Sequence, residues 1–325
     1  MPAILARIAP VLNAEVLLEP EHGFVGWIKF PNGRFSYFWD NKFNLNSVSA
    51  VKVAQDKAYT EFFLGTFGYP VPGSRTFVRD SFLPHVHGGR GLGEAITYAD
   101  ELGWPVVAKP CNLSQGRLVA VISSAAELQE WTARIFEKSR VLIVQRWCPG
   151  RDFRLIVLDG RVISAYERRP LTVTGDGQCS IEELLRNRQR LFETEGRDTV
   201  IDMADARLPA TLRRRGLDLA SVVPAGIEER LLDVANLSLG GTSHDVLPDL
   251  HATFREIAAR VATDMDLRFC GVDLIAPSVS TPARDYVVLE VNSAPGLDNY
   301  ESSGVAHEEK IDALYLEVLR AVAGQ

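Results

Sequence analysis

Three side chains near the C-terminal end of this chain have the chemistry of a hard-cation site. "GVDLIAP" carries Asp273, and "DYVVLEVNSAPGLDNY" carries Glu290 and Asn292, two residues apart. Strand side chains alternate, so Glu290 and Asn292 share a face. The two apolar runs are joined by "PSVSTPARD" and most simply pair as antiparallel neighbours. That pairing sets Asp273 across from Leu289 or Glu290 and gathers two carboxylates and an amide. Two carboxylates cannot both ionise in a dry site without a cation. Oxygen donors of this kind suit Mg²⁺, which keeps several waters and bridges to nucleotide phosphates. The competing reading is three unrelated polar groups at strand ends, facing solvent.

Other residues could serve an anionic ligand. Lys109 ends the apolar run "WPVVAKP" and is placed to aim a fixed charge at phosphates; a surface lysine is the plainer reading. The loop after it, "CNLSQGRLV", can offer backbone N–H groups around Gly116. Lys57 in "AQDKAYTEFF" reads by itself as an ordinary helix lysine. Arg154 and Arg168 lie on successive strands of "DFRLIVLDGRVISAYERRP", where they would hold a carboxylate or a phosphoryl group, or else pair with Glu167 or Asp152. "NLSLGGTSHD" can wrap closely around a ligand, and its His244 has no assigned role.

The elements that must position these groups follow from patterning. "FVGWIKFPNGRFSYFWD" reads as a hairpin turning at Asn32-Gly33. A helix is expected over 49–65. From Pro70 to Gln145 the order is strand, helix, strand, strand, helix, strand, with Ser124 and Glu127 as a capping box. Asp159-Gly160 turns a second hairpin, and Ser180 with Glu183 opens another helix. The stretch 192–229 is polar and weakly periodic. A helix from Asp249 carries Leu250, Phe254, Ile257, Ala258, Val261 and Met265 on one face, and a last helix starts near His307.

Composition bounds the classes. A formal net charge of −7 over 325 residues argues against a general nucleic-acid binder. The basic runs "RNRQR" and "LRRRG" read as solvated helix faces. No run approaches a membrane span, and the N-terminal stretch, interrupted by Pro10, reads as structure and not as a secretion signal. The cysteines, Cys111, Cys148, Cys179 and Cys270, show no metal-ligand spacing, so a reduced cytoplasmic setting is expected.

The order of these features resembles the ATP-grasp superfamily of carboxylate–amine ligases, most nearly the ATP-grasp segments of cyanophycin synthetases and fused bacterial glutathione synthetases. The resembling segments are "VVAKP", "GRLV", "PGRDFRLIVLDGRVISAYERRP", "VTGDGQCSIEELL", "VPAGIEERLLDVANLSLGGTSHDV", "GVDLIAP" and "EVNSAPGL". The resemblance implies an α+β fold of two lobes gripping a nucleotide: an N-terminal β-rich extension (1–48), a small lobe with its preceding helix (49–146) and a large lobe with the metal site (147–325). It implies ATP and Mg²⁺, or Mn²⁺, as cofactors. Lys57 and Lys109 match the lysines at the nucleotide. Ser114 and Gly116 fall in the loop over the phosphates, and Gln145, Arg146 and Trp147 in the hinge that reads adenine. Asp273, Glu290 and Asn292 match the metal ligands. Arg168, with Arg154 and Lys109, is expected at the reacting phosphoryl group, and Arg168, Asn236, Gly240, Gly241 and Tyr300 at the acyl substrate. The chain departs from the family at Leu118, where a second loop glycine is usual, at Gln145, where the hinge is usually acidic, and at Tyr300, where histidine is common. The implied reaction joins a small carboxylate to an amine through an acyl-phosphate; a kinase on the same scaffold is the alternative. Partner catalytic domains of the two relatives are not recognised, so addition of one residue is expected, not polymerisation, and the resemblance favours a homodimer.

Overall fold

The computed structural model describes residues 1–113, 115–194, 199–297 and 305–324, the side chains of 305–307 excepted. Among them, no helix is long and apolar enough to cross a membrane. The chain divides into two compact units, interleaved in sequence: residues 1–71, 149–167 and 244–325 form one, and 72–148 with 168–243 the other.

The first unit is built on a sheet ordered Thr242–Asp245, Arg161–Arg169, Arg151–Leu158, Phe269–Ala276, Val287–Asn292. The expected hairpin at Asp159-Gly160 is present, with both residues at positive φ (47° and 73°), as a two-residue hairpin turn requires. Phe153, Leu155, Val157, Val272 and Leu274 point to a core that also takes Phe254, Ile257, Ala258 and Val261 from the helix Ala252–Asp264. That helix starts three residues later than expected, because His251 is its N-cap: the Thr253 amide donates to His251 Nδ1 at 3.2 Å. The last helix runs Val305–Ala323.

The helix expected over 49–65 is two helices, Val48–Gln55 and Lys57–Thr66. Asp56 breaks them. It takes an extended conformation, and its Oδ1 accepts from the Ala58 and Tyr59 amides at 3.0 and 3.1 Å. An aspartate offers its own backbone neighbours a cap, which competes with helix continuation. Lys57 therefore stands at the first position of the second helix.

The N-terminal residues form a four-stranded antiparallel sheet, Glu15–Leu18, Val25–Lys29, Phe35–Trp39 and Lys42–Phe43, with the expected hairpin at Asn32-Gly33.

The second unit holds a four-stranded sheet ordered Ser74–Val78, Val141–Arg146, Val106–Pro110, Ala120–Ile122. Helices Leu92–Leu102 and Ala125–Lys138 cover it, burying Ala95, Ala99, Leu128 and Ile135. The strand expected over "RLVAVIS" begins only at Ala120, because the chain turns through 116–119. The Ser180–Glu183 box is formed reciprocally, at 2.8 and 3.3 Å, ahead of Ile181–Thr194. The weakly periodic stretch contains the helix Arg207–Arg214, which joins Ile181–Thr194 in a second small core around Leu185, Phe192, Leu208 and Leu212.

Asn46 fastens the first unit's N-terminal segment to its central sheet. Its Nδ2 donates to the Phe269 and Ser293 carbonyls (2.7 and 2.9 Å), and its Oδ1 accepts from the Arg268 and Phe269 amides (2.9 and 3.0 Å). No other side chain presents two donors and an acceptor with that span. Asn46→Ala should cost about 2–4 kcal/mol in urea unfolding, because several part-buried backbone groups lose their partners together. A change below about 0.5 kcal/mol, the range of ordinary surface substitutions, would contradict this account.

Candidate active site

The strand Val287–Asn292 solves a parity problem. Val288 and Val291 are both buried in the core, yet they are three residues apart, which alternation forbids in a regular strand. A bulge resolves it: Asp273 pairs with Glu290 but Leu274 pairs with Val288, leaving Leu289 as the extra residue. The bulge lets both valines face the core while Glu290 and Asn292 face the other way. Asp273 lies on that same face, since its neighbours Val272 and Leu274 are in the core. Asn292 Nδ2 lies 3.2 Å from Asp273 Oδ2 and 3.3 Å from Glu290 Oε1.

Two cations complete the cluster. Arg154, across from Asp273 on the adjacent strand, donates Nε and Nη2 to the two Asp273 oxygens, each at 2.6 Å. Asp273 has no exposed surface, and the Arg154 side chain is 16% exposed. Burial opposes the guanidinium charge, but the Asp273 carboxylate outweighs it and holds Arg154 well above its ordinary pKa. Lys57 Nζ lies 4.0 Å from Glu290 Oε2. Burial, followed by the Asp273 charge, pushes the nearby Cys270 thiol up to about 12 and keeps it neutral.

The ion-pair partner of Arg154 is neither Glu167 nor Asp152, the two carboxylates read in the sequence. Glu167 is bound by Arg151, through Nε and Nη2 at 2.8 and 2.6 Å. Arg154 is paired with Asp273. Arg168 is buried, 9% exposed, in the second unit.

The second unit holds the remaining expected residues. Lys109 is buried on Val106–Pro110, opposite Ile143. Gln145 is buried on Val141–Arg146, between Ser74 and Val107, and its Oε1 has no hydrogen-bond partner among the described residues. Arg146 and Trp147 follow it and are exposed. Gly116 has φ of +65°, and a Cβ there would lie 2.9 Å from Asn236 Nδ2, so the loop packs directly against that side chain. Asn236 Oδ1 accepts from the Ser238 amide at 2.9 Å and caps a short 3₁₀ turn that ends at Gly240, φ +89°. A Cβ on Gly241 would lie 2.5 Å from the Arg169 carbonyl oxygen. Ser114 and Tyr300 lie outside the described residues.

Sequence reasoning missed the residues that hold the loop. Arg207 Nη1 donates to the Gly116 and Val119 carbonyls at 2.8 and 3.1 Å, and Trp131 Nε1 donates to the Leu118 carbonyl at 3.1 Å. Backbone carbonyls leave no type-specific trace in sequence, and Arg207 is 91 residues from Gly116.

The donor set in the first unit fits magnesium. No three His, Cys, Asp or Glu side chains gather anywhere among the described residues, so a cation here would take two carboxylates and the Asn292 amide oxygen. Turning the Asn292 amide over replaces its donor with that oxygen. Each Asp273 oxygen keeps a lone pair beyond its bond to Arg154, and Mg²⁺ draws its other ligands from water and phosphate.

Comparison with known proteins identifies the family. Residues 222–314 match the RimK-like ATP-grasp domain. The cyanophycin synthetase of Geminocystis herdmanii is 32% identical over 269 residues, 78% of this chain and 29% of that protein. The glutathione biosynthesis bifunctional protein GshAB of Streptococcus mutans is 28% identical over 254 residues, 74% of this chain and 32% of its own length. This chain thus spans about a third of these relatives. Among solved structures, the bifunctional glutathione synthetase of Pasteurella multocida superposes with a TM-score of 0.57 at 21% identity, covering 94% of this chain and 42% of that one. The chain has the ATP-grasp fold, and by sequence it is a relative of the ATP-grasp segments of cyanophycin synthetases and bifunctional glutathione synthetases.

Proposed function

We propose that this chain is an ATP- and Mg²⁺-dependent, ADP-forming carboxylate–amine ligase acting on a small amino acid or short peptide. The observation that carries the proposal is the cluster of Asp273, Glu290, Asn292, Arg154 and Lys57 on one face of paired strands. Its two carboxylates are balanced by two cations, so a bound metal would add charge that only an anion as strong as a polyphosphate offsets. The relatives named above join carboxylates to amines, which supports the same chemistry here.

In this reading a substrate carboxylate oxygen attacks the γ-phosphorus and ADP leaves. The amine nitrogen then attacks the acyl carbon, and phosphate leaves as the amide forms. A metal ion held by Asp273, Glu290 and Asn292 supplies charge neutralisation at the phosphates. Arg154 keeps Asp273 ionised and oriented and does not touch substrate. Lys57 screens Glu290 and offers its ammonium to phosphate oxygens. Lys109 and the loop around Gly116 bind phosphates, and Gln145 Oε1 accepts from the adenine amino group, which would satisfy an oxygen otherwise without a partner. Arg168 binds the acyl substrate's reacting carboxylate, with Asn236, Gly240 and Gly241 shaping its loop; Tyr300 is proposed to tune which substrate is accepted. The protein is proposed to work in the cytoplasm, as a homodimer.

Hydroxylamine tests the chemistry directly. With the acid substrate, ATP and Mg²⁺, it should trap an acyl hydroxamate while ADP accumulates. A stable phosphoester with no hydroxamate would mean a kinase instead.

The two ion pairs should respond differently to truncation. Glu290→Ala removes a partly exposed group, so stability should change by less than about 1 kcal/mol while Mg·ATP turnover is lost. Arg154→Ala strands the buried Asp273 charge and should cost about 3–5 kcal/mol in urea unfolding. Equal, small costs for both would show that the Arg154–Asp273 pair is not the support described.

For Arg168→Lys, kcat should fall about a hundredfold with little change in KM for ATP, as expected for a fork that matters mainly in the transition state. Near-normal kcat in a folded variant would take Arg168 out of the site.

A further inference from the structure

Leu118 has φ of +56° and Gln115 φ of +59°, the left-handed region that side chains other than glycine seldom occupy. Leu118 stands where the family usually has glycine, so the backbone shape is kept here without the residue that makes it easy. Such a residue persists only when its surroundings hold it. Three contacts do so. Trp131 Nε1 binds the Leu118 carbonyl, the Leu118 side chain packs against the core that contains Trp131 and Ile122, and Arg207 binds the carbonyls on either side, at Gly116 and Val119. Arg207 is itself fixed: its Nε donates to both Asp205 oxygens at 2.9 and 3.0 Å, and Asp205 Oδ1 also accepts the Arg207 amide at 2.9 Å. Both side chains are 11% exposed.

We infer that Arg207, oriented by Asp205, is a positioning residue that presets the loop 115–119 for nucleotide phosphates by drawing the Gly116 and Val119 carbonyls to its guanidinium. This rests on the nucleotide reading of that loop. The physical reason is polarity. A carbonyl oxygen turned toward a polyphosphate repels it, whereas an N–H group attracts it. Committing two carbonyls of one tight turn to a cation keeps their negative ends from the anion. It also holds the turn in one conformation before the ligand arrives, so less binding free energy is spent on ordering it. A guanidinium suits the task because its fork reaches two carbonyls and a carboxylate at once; an ammonium lacks that planar spread. A cavity of about 170 Å³ borders Arg207, Trp131, Glu127, Arg134 and Asp233. Truncating Arg207 therefore enlarges an existing pocket, and the loop should feel the change more than the core does.

The test compares wild type with Arg207→Ala and Arg207→Lys by hydrogen exchange of the unliganded protein and by steady-state kinetics. In Arg207→Ala, amides 115–119 should exchange about tenfold faster, with those of Val287–Asn292 unchanged. KM for ATP should rise about tenfold, while KM for the acid substrate stays within about twofold. Arg207→Lys should fall between the two; a purely structural role would lower Tm without this KM split or its partial rescue. Unchanged exchange at 115–119 in both variants would overturn the inference, as would equal KM values for ATP. Faster exchange at 115–119 in Arg207→Ala, together with no Mg·ATP binding by the wild type, would sustain the Arg207 latch and overturn the nucleotide reading instead.

Discussion

A carboxylate with no exposed surface, such as Asp273, stays charged only while something answers it. Arg154 answers it with a two-point fork, and the strand geometry of the first unit is arranged around that contact. The sheet register sets the two residues directly opposite. The neighbours of each, Val272 and Leu274 on one strand and Phe153 and Leu155 on the other, are core residues, so neither strand can slip by one without burying a charge among them. The bulge at Leu289 then brings Glu290 and Asn292 onto the same face. Metal chemistry asks for oxygens that are both ionised and immobile. A buried ion pair, weak as a source of net stability, supplies both properties.

The second unit reaches rigidity differently. Its loop has few side chains that could pack, so its shape is held through backbone carbonyls, by Arg207 and Trp131. Left-handed Leu118 costs about 1–2 kcal/mol relative to a relaxed backbone. Those hydrogen bonds, together with the burial of the Leu118 side chain, are of the size needed to offset it. One unit fixes carboxylates with a cation; the other fixes carbonyls with a cation. In both, arginine serves because its donors are planar and its charge survives desolvation.

Much of this was legible in the sequence, and the gaps have physical causes. Alternation and turn chemistry located the hairpins at Asn32-Gly33 and Asp159-Gly160 and set Asp273 across from Leu289 or Glu290, of which the structure takes Glu290, because these are local or nearly local patterns. The split of the first long helix was missed: Asp56 is a poor but admissible helix residue, and only its capping of Ala58 and Tyr59 shows the break. The partner of Arg154 was missed because it is 119 residues away and is itself a candidate ligand. Arg207 and Asp205 were invisible since an arginine that binds carbonyls looks, in sequence, like any surface arginine. The bulge was not legible, for Val287, Leu289 and Val291 in "VVLEVN" already make a regular alternating face, and only the burial of Val288 together with Val291 shows the break.

The N-terminal forty-eight residues supply none of the segments that carry the sequence resemblance, yet they are not an appendage to the site. Asn41 Nδ2 donates to the Ala294 carbonyl at 2.7 Å, and Asn46 Nδ2 donates to Ser293, so both asparagines grip the two residues that directly follow Asn292. Asn32 Nδ2 likewise donates to the Ala323 carbonyl, at 2.9 Å, at the end of the last helix. The backbone leaving a ligand-bearing strand has no ladder partners of its own, and an untethered exit would let Asn292 turn with it. Side-chain amides suit this work because they donate to carbonyls without bringing charge near Asp273 and Glu290. The extension acts, in this sense, as a brace for the last candidate ligand. That accounts for its compact association with residues 244–325 in one unit, although it supplies none of the candidate site residues.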